Sequence, residues 1–497
     1  MKTDSLLWRR LSPWAIAVFS TAGLIDKLKF GIYVIPVAFT GAMDGLPKAA
    51  WLTALMLLLV HTLALSWLKW WRFHYALDQD QQRFELRTGA LFKTEQRIPL
   101  ARIQNVRIDQ PLPLRIIDKV NLIIETAGSQ GSEATLFAIS GSEAQALKLQ
   151  LVPATLSPPT SAPAPACDAL RRTPAQLFAH GVCFNNLTWL AVVLGPVLSQ
   201  SDWLIDEQWL AQNPQWTTGT SVLMPETPLS VALVAALFLL LCYLLLSLAS
   251  GLACLLKYHP YRLSFGDARL QRTGGVITRQ QDLMQTHRIQ SLQLHQSGLA
   301  RMVGLWLLTL KQVQGSSHDA NHSNAMHLPA LSETETQTSL TRIDRRFRLP
   351  EQWTAINRFW LWRRIGWSSL ALLTLTALVA AITDLSALQW VLLLVGLWPA
   401  VAMACWLRWR HWGYASDACG LWIRHGLLGQ SLTLLPWSKW QSVATVQTPA
   451  MTSRQLMTLK LSLASGRYLL PCLNLEQAEA LMQQGLNQVR GDRRPWL

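Results

Sequence analysis

Long apolar runs without a charged residue alternate along this chain with blocks in which apolar and polar residues change places every second position. Pro228 to Leu256, Leu385 to Leu407, Gly181 to Gln200 and Ile365 to Thr383 contain no Asp, Glu, Lys or Arg, and Ala49 to Leu68 has His61 as its one strongly polar residue. Each can cross roughly 30 Å of hydrocarbon as a helix rising about 1.5 Å per residue. A sixth run, Leu11 to Met43, is interrupted by Asp26, Lys27 and Lys29. It predicts an interfacial helix over Pro13 to Lys29, with its charges at the headgroups, and then a short crossing from Phe30 to Leu46. Paired as hairpins, the spans divide the chain into 1–72 (interfacial helix and first hairpin), 73–152 (first block), 153–168 (linker), 181–256 (second hairpin), 257–348 (second block), 365–407 (third hairpin) and 408–490 (third block).

Inside the blocks the period is two. Phe84 and Leu86 alternate with charged neighbours, Gly89 suits a tight turn, and Val106/Ile108 and Leu122/Ile124 continue the pattern, which predicts short antiparallel strands. Each block closes on a helix-favouring stretch opened by a capping pair: Ser142 with Gln145, Ser332 with Glu335, and Asn474 with Gln477. Strands followed by one helix make a small α+β module. The linker from Pro153 to Pro165 is rich in Pro, Ser and Ala and predicts an extended tether.

The blocks are copies of one another. Arg102-Ile103-Gln104-x-Val106-x-x-x-Gln110 aligns with Arg288-Ile289-Gln290-x-Leu292-x-x-x-Gln296 at a shift of 186, and with Lys439-Trp440-Gln441-x-Val443-x-x-x-Gln447 at a shift of 337. The same shifts superpose Thr88-Gly89-Ala90-Leu91, Gly274-Gly275-Val276-Ile277 and His425-Gly426-Leu427-Leu428 upstream, and Leu122/Leu308/Leu459 downstream. One module is used three times.

Apolar hairpins followed by the pattern of Arg87 to Gln110 resemble the bacterial membrane-flanked pleckstrin-homology-like family, whose multi-pass members repeat the unit. The resemblance covers nearly the whole chain. It implies transmembrane hairpins carrying three PH-like α+β barrels, each made of two packed antiparallel sheets closed by a C-terminal helix, and it implies no catalytic residue. It also suggests a role in envelope maintenance or stress resistance, with a smaller single-module PH-like membrane protein as a candidate partner. The second copy lacks the Pro of Ile98-Pro99, and the third has Lys439-Trp440 for Arg-Ile.

Charge sets the expected orientation. The hairpin tips around Asp44, Ser201 to Thr227 and Asp384 hold one basic residue, Lys48, of the 44 in the chain. The rest lie on the other side, which places both termini and all three blocks in the cytoplasm of a bacterial inner membrane by the positive-inside rule. A net charge of +15 would otherwise suggest nucleic acid. That class is set aside because Arg9-Arg10, Arg171-Arg172, Arg345-Arg346, Arg363-Arg364 and Arg408/Arg410 flank membrane ends, where topology and anionic headgroups account for them, as membrane anchoring accounts for Trp70-Trp71 and Trp406/Trp409/Trp412.

Candidate chemistry is sparse. Seven scattered cysteines form no C-x-x-C, so neither a disulfide framework nor a zinc site is expected. His318, His322 and His327 cluster in a polar insertion that reads first as a loop, and no other metal or cofactor site is expected. Arg102, Gln104, Arg288, Gln290, Lys439 and Gln441 are the ligand-site candidates, since a cation and an amide beside a membrane can grip phosphate oxygens. The competing reading, placed ahead, has them brace a turn while Ile103, Val106 and their copies fill the core. Within the spans His61, Asn185 and Asn186 are expected to face protein or water. The chain therefore reads as a non-enzymatic membrane scaffold whose modules bind protein segments, each other or membrane lipids, with oligomer formation left open. The alternative is a lipid-handling or transport protein with its path between the hairpins.

Overall fold

The computed structural model describes residues 8–24, 27, 48–78, 80–89, 92–100, 103–126, 132–151, 170–184, 228–266, 269–312, 325–383 and 386–491. The expected crossing at 30–46, the linker, most of the span at 181–200, Asn185, Asn186, Arg102, His318 and His322 lie outside these residues.

Helices take up the apolar runs. After α1 (Ala15–Leu24), they are α2 (Lys48–Arg72), α3 (Gly141–Leu151), α4 (Pro174–Cys183), α5 (Pro228–Tyr258), α6 (Glu333–Ile343), α7 (Phe359–Thr383), α8 (Ala387–Arg410) and α9 (Leu475–Gly491). Among the described residues, Ala236–Tyr258, Phe359–Ala381 and Leu388–Arg410 are long and apolar enough to cross a membrane, and α2 has the same length, with 25 residues. Inside α2, His61 Nδ1 lies 3.0 Å from Lys27 Nζ.

Each repeat contributes seven strands. The first has β1 (Arg9–Arg10), β2 (His74–Asp78), β3 (Arg83–Thr88), β4 (Thr94–Pro99), β5 (Ile103–Pro111), β6 (Lys119–Thr126) and β7 (Ser132–Ser140). The second has β8 (Leu170–Arg172), β9 (Tyr261–Phe265), β10 (Arg269–Gly274), β11 (Thr278–Gln285), β12 (Ser291–Gln296), β13 (Trp306–Lys311) and β14 (Ala325–Leu331). The third has β15 (Thr354–Ala355), β16 (Gly413–Ser416), β17 (Gly420–His425), β18 (Gln430–Pro436), β19 (Trp440–Val446), β20 (Leu456–Leu463) and β21 (Gly466–Asn474). In every copy long helices stand between the first and second strands: α2 in the first, α5 in the second, and α7 with α8 in the third. Arg9-Arg10 and Arg171-Arg172 are thus sheet residues as well as flanking charges, pairing with β2 and β9.

The first four strands of a copy form one sheet and the last three another, and the terminal helix packs against the second. Strand period two fills the space between them: Phe84, Leu122, Ile124 and Leu136 in the first copy are fully buried. The two sheets do not stay within a copy, however. The strand order β7-β6-β5-β11-β10-β9-β8 fuses the second sheet of copy one to the first sheet of copy two, and β14-β13-β12-β18-β17-β16-β15 repeats the fusion between copies two and three. The cores follow suit, since Trp422, Leu432 and Leu434 of the third copy complete the core of the second. The PH-like modules are links in one β array.

Helix caps match the expectation in one copy of three. Ser332 and Glu335 make the full capping box. In the first copy the helix starts two residues earlier than the Ser142–Gln145 pair requires, and Ser140 Oγ accepts from the Glu143 N–H at 3.3 Å. In the third, Asn474 Oδ1 accepts instead from Asn357 Nδ2 and Gln477 Oε1 from Tyr414, which ties α9 to β16 and to the segment before α7.

Candidate membrane-facing site

The repeated Gly-apolar turn exposes apolar side chains outside the spans. Residues after Gly275 and Gly426 form the hairpin turns β10–β11 and β17–β18, and there Ile277, Leu427 and Leu428 are exposed, as is Phe92 between β3 and β4. The φ of Gly275 is +105°, a conformation open to glycine at little cost. The turn it makes is seated on the end of a span: its N–H donates to His259 O at 3.1 Å and the Val276 N–H to Leu256 O at 2.9 Å, so Ile277 projects beside the exit of α5. A second set of tips comes from the short helices that follow β5 and β12, where Ile116, Met302 and Val303 are exposed, Met302 at 85%. The helix Gly298–Val303 also touches the next copy's turn, Leu428 lying against Gly298, and Ser297 Oγ donates to Cys183 O at the end of α4. Apolar side chains at turns have no core to enter. Ile277 at the end of α5, and Met302, Val303 and Leu428 where the second and third copies meet, fit the acyl boundary of a bilayer.

Basic residues border these tips. His411 follows α8, and its proton affinity is lowered by burial first and then by the charges of Arg301, Arg424 and Arg410. His425 is lowered by burial, Arg408 and His295. Arg301, Arg408, Arg410 and Arg424 therefore share one region at the base of the third hairpin, drawn from both neighbouring copies. Aromatic rings support them: the Arg424 guanidinium lies 4.8 Å from the Trp353 ring centre, that of Arg410 5.6 Å from Trp406, and that of Arg358 6.0 Å from Trp409. Such a region can hold the phosphates of anionic headgroups while the tips enter the apolar layer.

The residues singled out from the sequence sit elsewhere. Arg288 and Lys439 end short 3-10 turns, Thr286–Arg288 and Trp437–Lys439, at which the chain leaves one shared sheet for the next. The next residues, Ile289 and Trp440, are buried in the core. Gln290 is buried, its N–H donating to Lys311 O at 2.8 Å, whereas Gln441 is exposed on β19. Gln104 lies in β5. The second and third elements do come together, because the charges of both Arg288 and Lys439, after burial, lower the proton affinity of His287. His327 is separated from any metal role by its place in β14, with Nδ1 3.1 Å from Thr309 Oγ1. Among the described residues no group of three His, Cys, Asp or Glu side chains could hold a metal ion, and Cys183, Cys242, Cys254, Cys405, Cys419 and Cys472 are free thiols.

Two chemical features of the structure have no local signature in the sequence. One is the basic region, whose members are far apart in the chain. The other is a buried ion network where the first two copies fuse: Arg107 lies 2.7 Å from Asp109 and 3.2 Å from Asp282, and Asp282 is 2.7 Å from Arg272. The turn tips did leave a signal, the aligned Gly-apolar triplets. A shallow apolar groove of about 590 Å³ between α1 and α2, lined by Trp14, Ile16, Ala17 and Leu63 among others, completes the membrane-side features.

Comparison with known proteins agrees with this architecture. The Bacterial PH domain family is matched three times, by residues 30–154, 223–346 and 368–489. The chain is also 34% identical over 152 residues to the UPF0699 transmembrane protein YdbT of Bacillus subtilis (strain 168), an alignment that spans 28% of each protein. No solved structure matches. The fused seven-strand copies, the hairpins set into them and the threefold match together make this chain a membrane protein of the Bacterial PH domain family.

Proposed function

We propose that the protein is a non-enzymatic scaffold of the bacterial inner membrane, whose β array lies along the cytoplasmic face and binds anionic headgroups and protein segments there, in the service of envelope maintenance. The observation that carries this reading is the set of exposed side chains Met302, Val303, Leu427 and Leu428 on the same two turns as Arg301 and Arg424, in the region that Arg408 and Arg410 share at the exit of α8. Three modules fixed on one surface reach high effective concentration toward that surface without a strong single site. The full-length protein, reconstituted in nanodiscs of phosphatidylcholine with a minor share of phosphatidylglycerol, should retain the anionic lipid several-fold above its input share. Arg301→Gln with Arg424→Gln should lower that retention several-fold. Equal retention by the variant would remove the headgroup site, and a reporter fused after residue 491 that proved periplasmic would reverse the orientation.

Arg288, Gln290 and Lys439 fit a turn-bracing role better than a phosphate site, given the core placement of Ile289 and Trp440 beside them. Arg288→Gln with Lys439→Gln is expected to leave lipid retention unchanged. A second reading, lipid handling, rests on the groove between α1 and α2. It requires a lipid that copurifies stoichiometrically and is displaced by Leu63→Trp.

A further inference from the structure

The two fusions between copies are made in the same register. Arg279 pairs with Gln110 where β11 meets β5, and Gln430 pairs with Gln296 where β18 meets β12. The shifts of 186 and 337 make Arg279 equivalent to Gln430, and Gln110 equivalent to Gln296. The last Gln of the repeated motif therefore marks the joint, and at the second joint Gln296 Oε1 accepts from Gln430 Nε2 at 3.0 Å. The third copy keeps that Gln as Gln447, beside β19, and the first copy keeps the opposite half as β4. Among the described residues no strand pairs with the outer edge of either one.

These two edges are of the one kind that the array joins. The other sheet edges, β7, β14 and β21 on one side and β1, β8 and β15 on the other, remain terminal in every copy. Joining changes a strand's surroundings: β12 and β18 are mostly buried, whereas β19 is exposed at four of seven positions and β4 at four of six. Trp440 to Gln447 carries no charge and no proline. A long, uncharged, accessible edge is a template for another strand, and natural proteins rarely leave one without a use.

We propose that β19 of one molecule pairs antiparallel with β4 of a second copy, repeating the internal joint between molecules and extending the array head to tail along the membrane. Carrying the register over sets Lys93 against Gln447, Glu95 against Thr445, Gln96 against Ala444 and Arg97 against Val443. No like charges meet, since every charge in the pairing belongs to β4. Where the first internal joint buries Arg107 and Asp109 against Asp282, this one sets Ala444 and Val446 beside Gln96 and Thr94, an uncharged face like that of the second joint, in which Gln293 and His295 face Thr433 and Ser431. Pro99 is no obstacle, because its equivalent, Pro436, lies in β18 beyond the residues that pair with β12. The contact is heterologous, so it closes into a ring or runs on as a filament according to the turn between copies. A second copy is the favoured occupant because both halves of the joint lie on this one chain.

Directly opposed residues of an antiparallel pair have Cα atoms roughly 4.5–5.5 Å apart, within disulfide range. The full-length Glu95→Cys, Thr445→Cys double variant, oxidised in native membranes, should give a ladder of covalent species at multiples of 55.8 kDa. Either single variant should give only the background of the native cysteines. The pair Glu95→Cys with Gln441→Cys, roughly 13 Å out of register at about 3.4 Å per residue, should cross-link at least tenfold less. A double variant that behaves like the singles, or an out-of-register pair that cross-links equally, overturns the proposal. Capture by Thr445→Cys of a smaller protein in place of the ladder also overturns it, and assigns the edge to a separate partner. As a second measurement, Ser442→Lys with Ala444→Lys, both exposed on β19, should reduce the detergent-extracted protein to the single-chain mass with its thermal transition intact. An extracted wild type that already has the single-chain mass, together with an absent ladder in membranes, overturns the proposal as well.

Discussion

At the scale of residues, two glycines show how local geometry separates a structural need from mere permission. Gly275 has a φ of +105°, and a Cβ there would lie 2.0 Å from Thr278 O and 3.2 Å from Lys257 O. Gly304, at +74°, has nothing within 4 Å of the same position. Gly304→Ala is expected to cost about 1 kcal/mol, and Gly275→Ala about 2–4 kcal/mol, because the turn must also leave its seat on α5. Thermal melting in detergent, followed by tryptophan fluorescence, should show the larger loss for Gly275. Histidines supply the pH dependence. His327 and His180 are both pushed down to about 4, mainly by burial, and His180 Nδ1 accepts the Ala330 N–H at 3.3 Å, which fixes its neutral form. The unfolded chain binds these protons near pH 6.5, so the stabilisation is full above that value and is lost as pH falls from about 6.5 to about 4. Each site contributes up to roughly 3 kcal/mol at the acid limit. The melting temperature should fall over that window, and His327→Gln should flatten the slope; a slope unchanged in the variant would discount His327. The sequence displayed His327 among its polar neighbours His318 and His322, which argued for a loop. Its burial comes from pairing with β13, a contact that composition does not encode.

At the scale of elements, the same sequence pattern was legible where its cause is local and silent where it is not. The later spans, strand periodicity and the Ser332–Glu335 capping box depend on neighbours a few residues away, and among the described residues α5, α7, α8 and that box stand as the pattern predicts. β8 is three residues long and apolar in only one of them, and its Arg171-Arg172 read as membrane flanking. What makes it a strand is the ion pair it brings: Arg172 Nη1 donates to both carboxylate oxygens of Glu335, at 2.9 and 3.0 Å, across 163 residues of chain. Burial acts to raise the Glu335 carboxyl, but hydrogen bonds from Arg172 and Ser332 outweigh it and hold the group below its usual range. The side chains differ in exposure, 1% for Arg172 against 37% for Glu335. Losing the exposed partner strands a buried cation, whereas losing the buried one leaves a carboxylate that water can reach. Glu335→Ala should therefore cost about 3 kcal/mol, and Arg172→Met about 1–2 kcal/mol. The reverse order in thermal melts would mean that the Arg172 cation is not stranded when Glu335 is removed and that its buried side chain holds β8 mainly by packing.

At the scale of the whole molecule, the decisive property is that no copy owns both of its sheets. Repeat detection in the sequence found the units and their register, but pairing between β5 and β11 joins residues some 170 positions apart and leaves no periodic trace in either strand. The motif's final Gln was visible in all three copies, and only the structure explains why it recurs. A mechanical consequence follows for the linker at 153–168. If separate barrels hung on a tether, cutting the tether would free the first from the rest. In the fused array the first copy is held to the second through β5–β11 and through Arg107, Asp109, Asp282 and Arg272, all of low exposure. A protease site placed between Pro158 and Pro159 should be cut without separating the halves: affinity capture through a tag on the N-terminal fragment should recover the C-terminal fragment in near-equal amount from detergent. Asp282→Ala leaves Arg107 and Arg272 facing each other without their shared carboxylate, a loss of about 3–5 kcal/mol for such a buried network. In the cut protein it should reduce the recovered fragment several-fold, while the uncut variant keeps its mass. Free separation of the wild-type halves after cleavage would return the modules to independent barrels, and the continuous seven-stranded sheets would have to be given up.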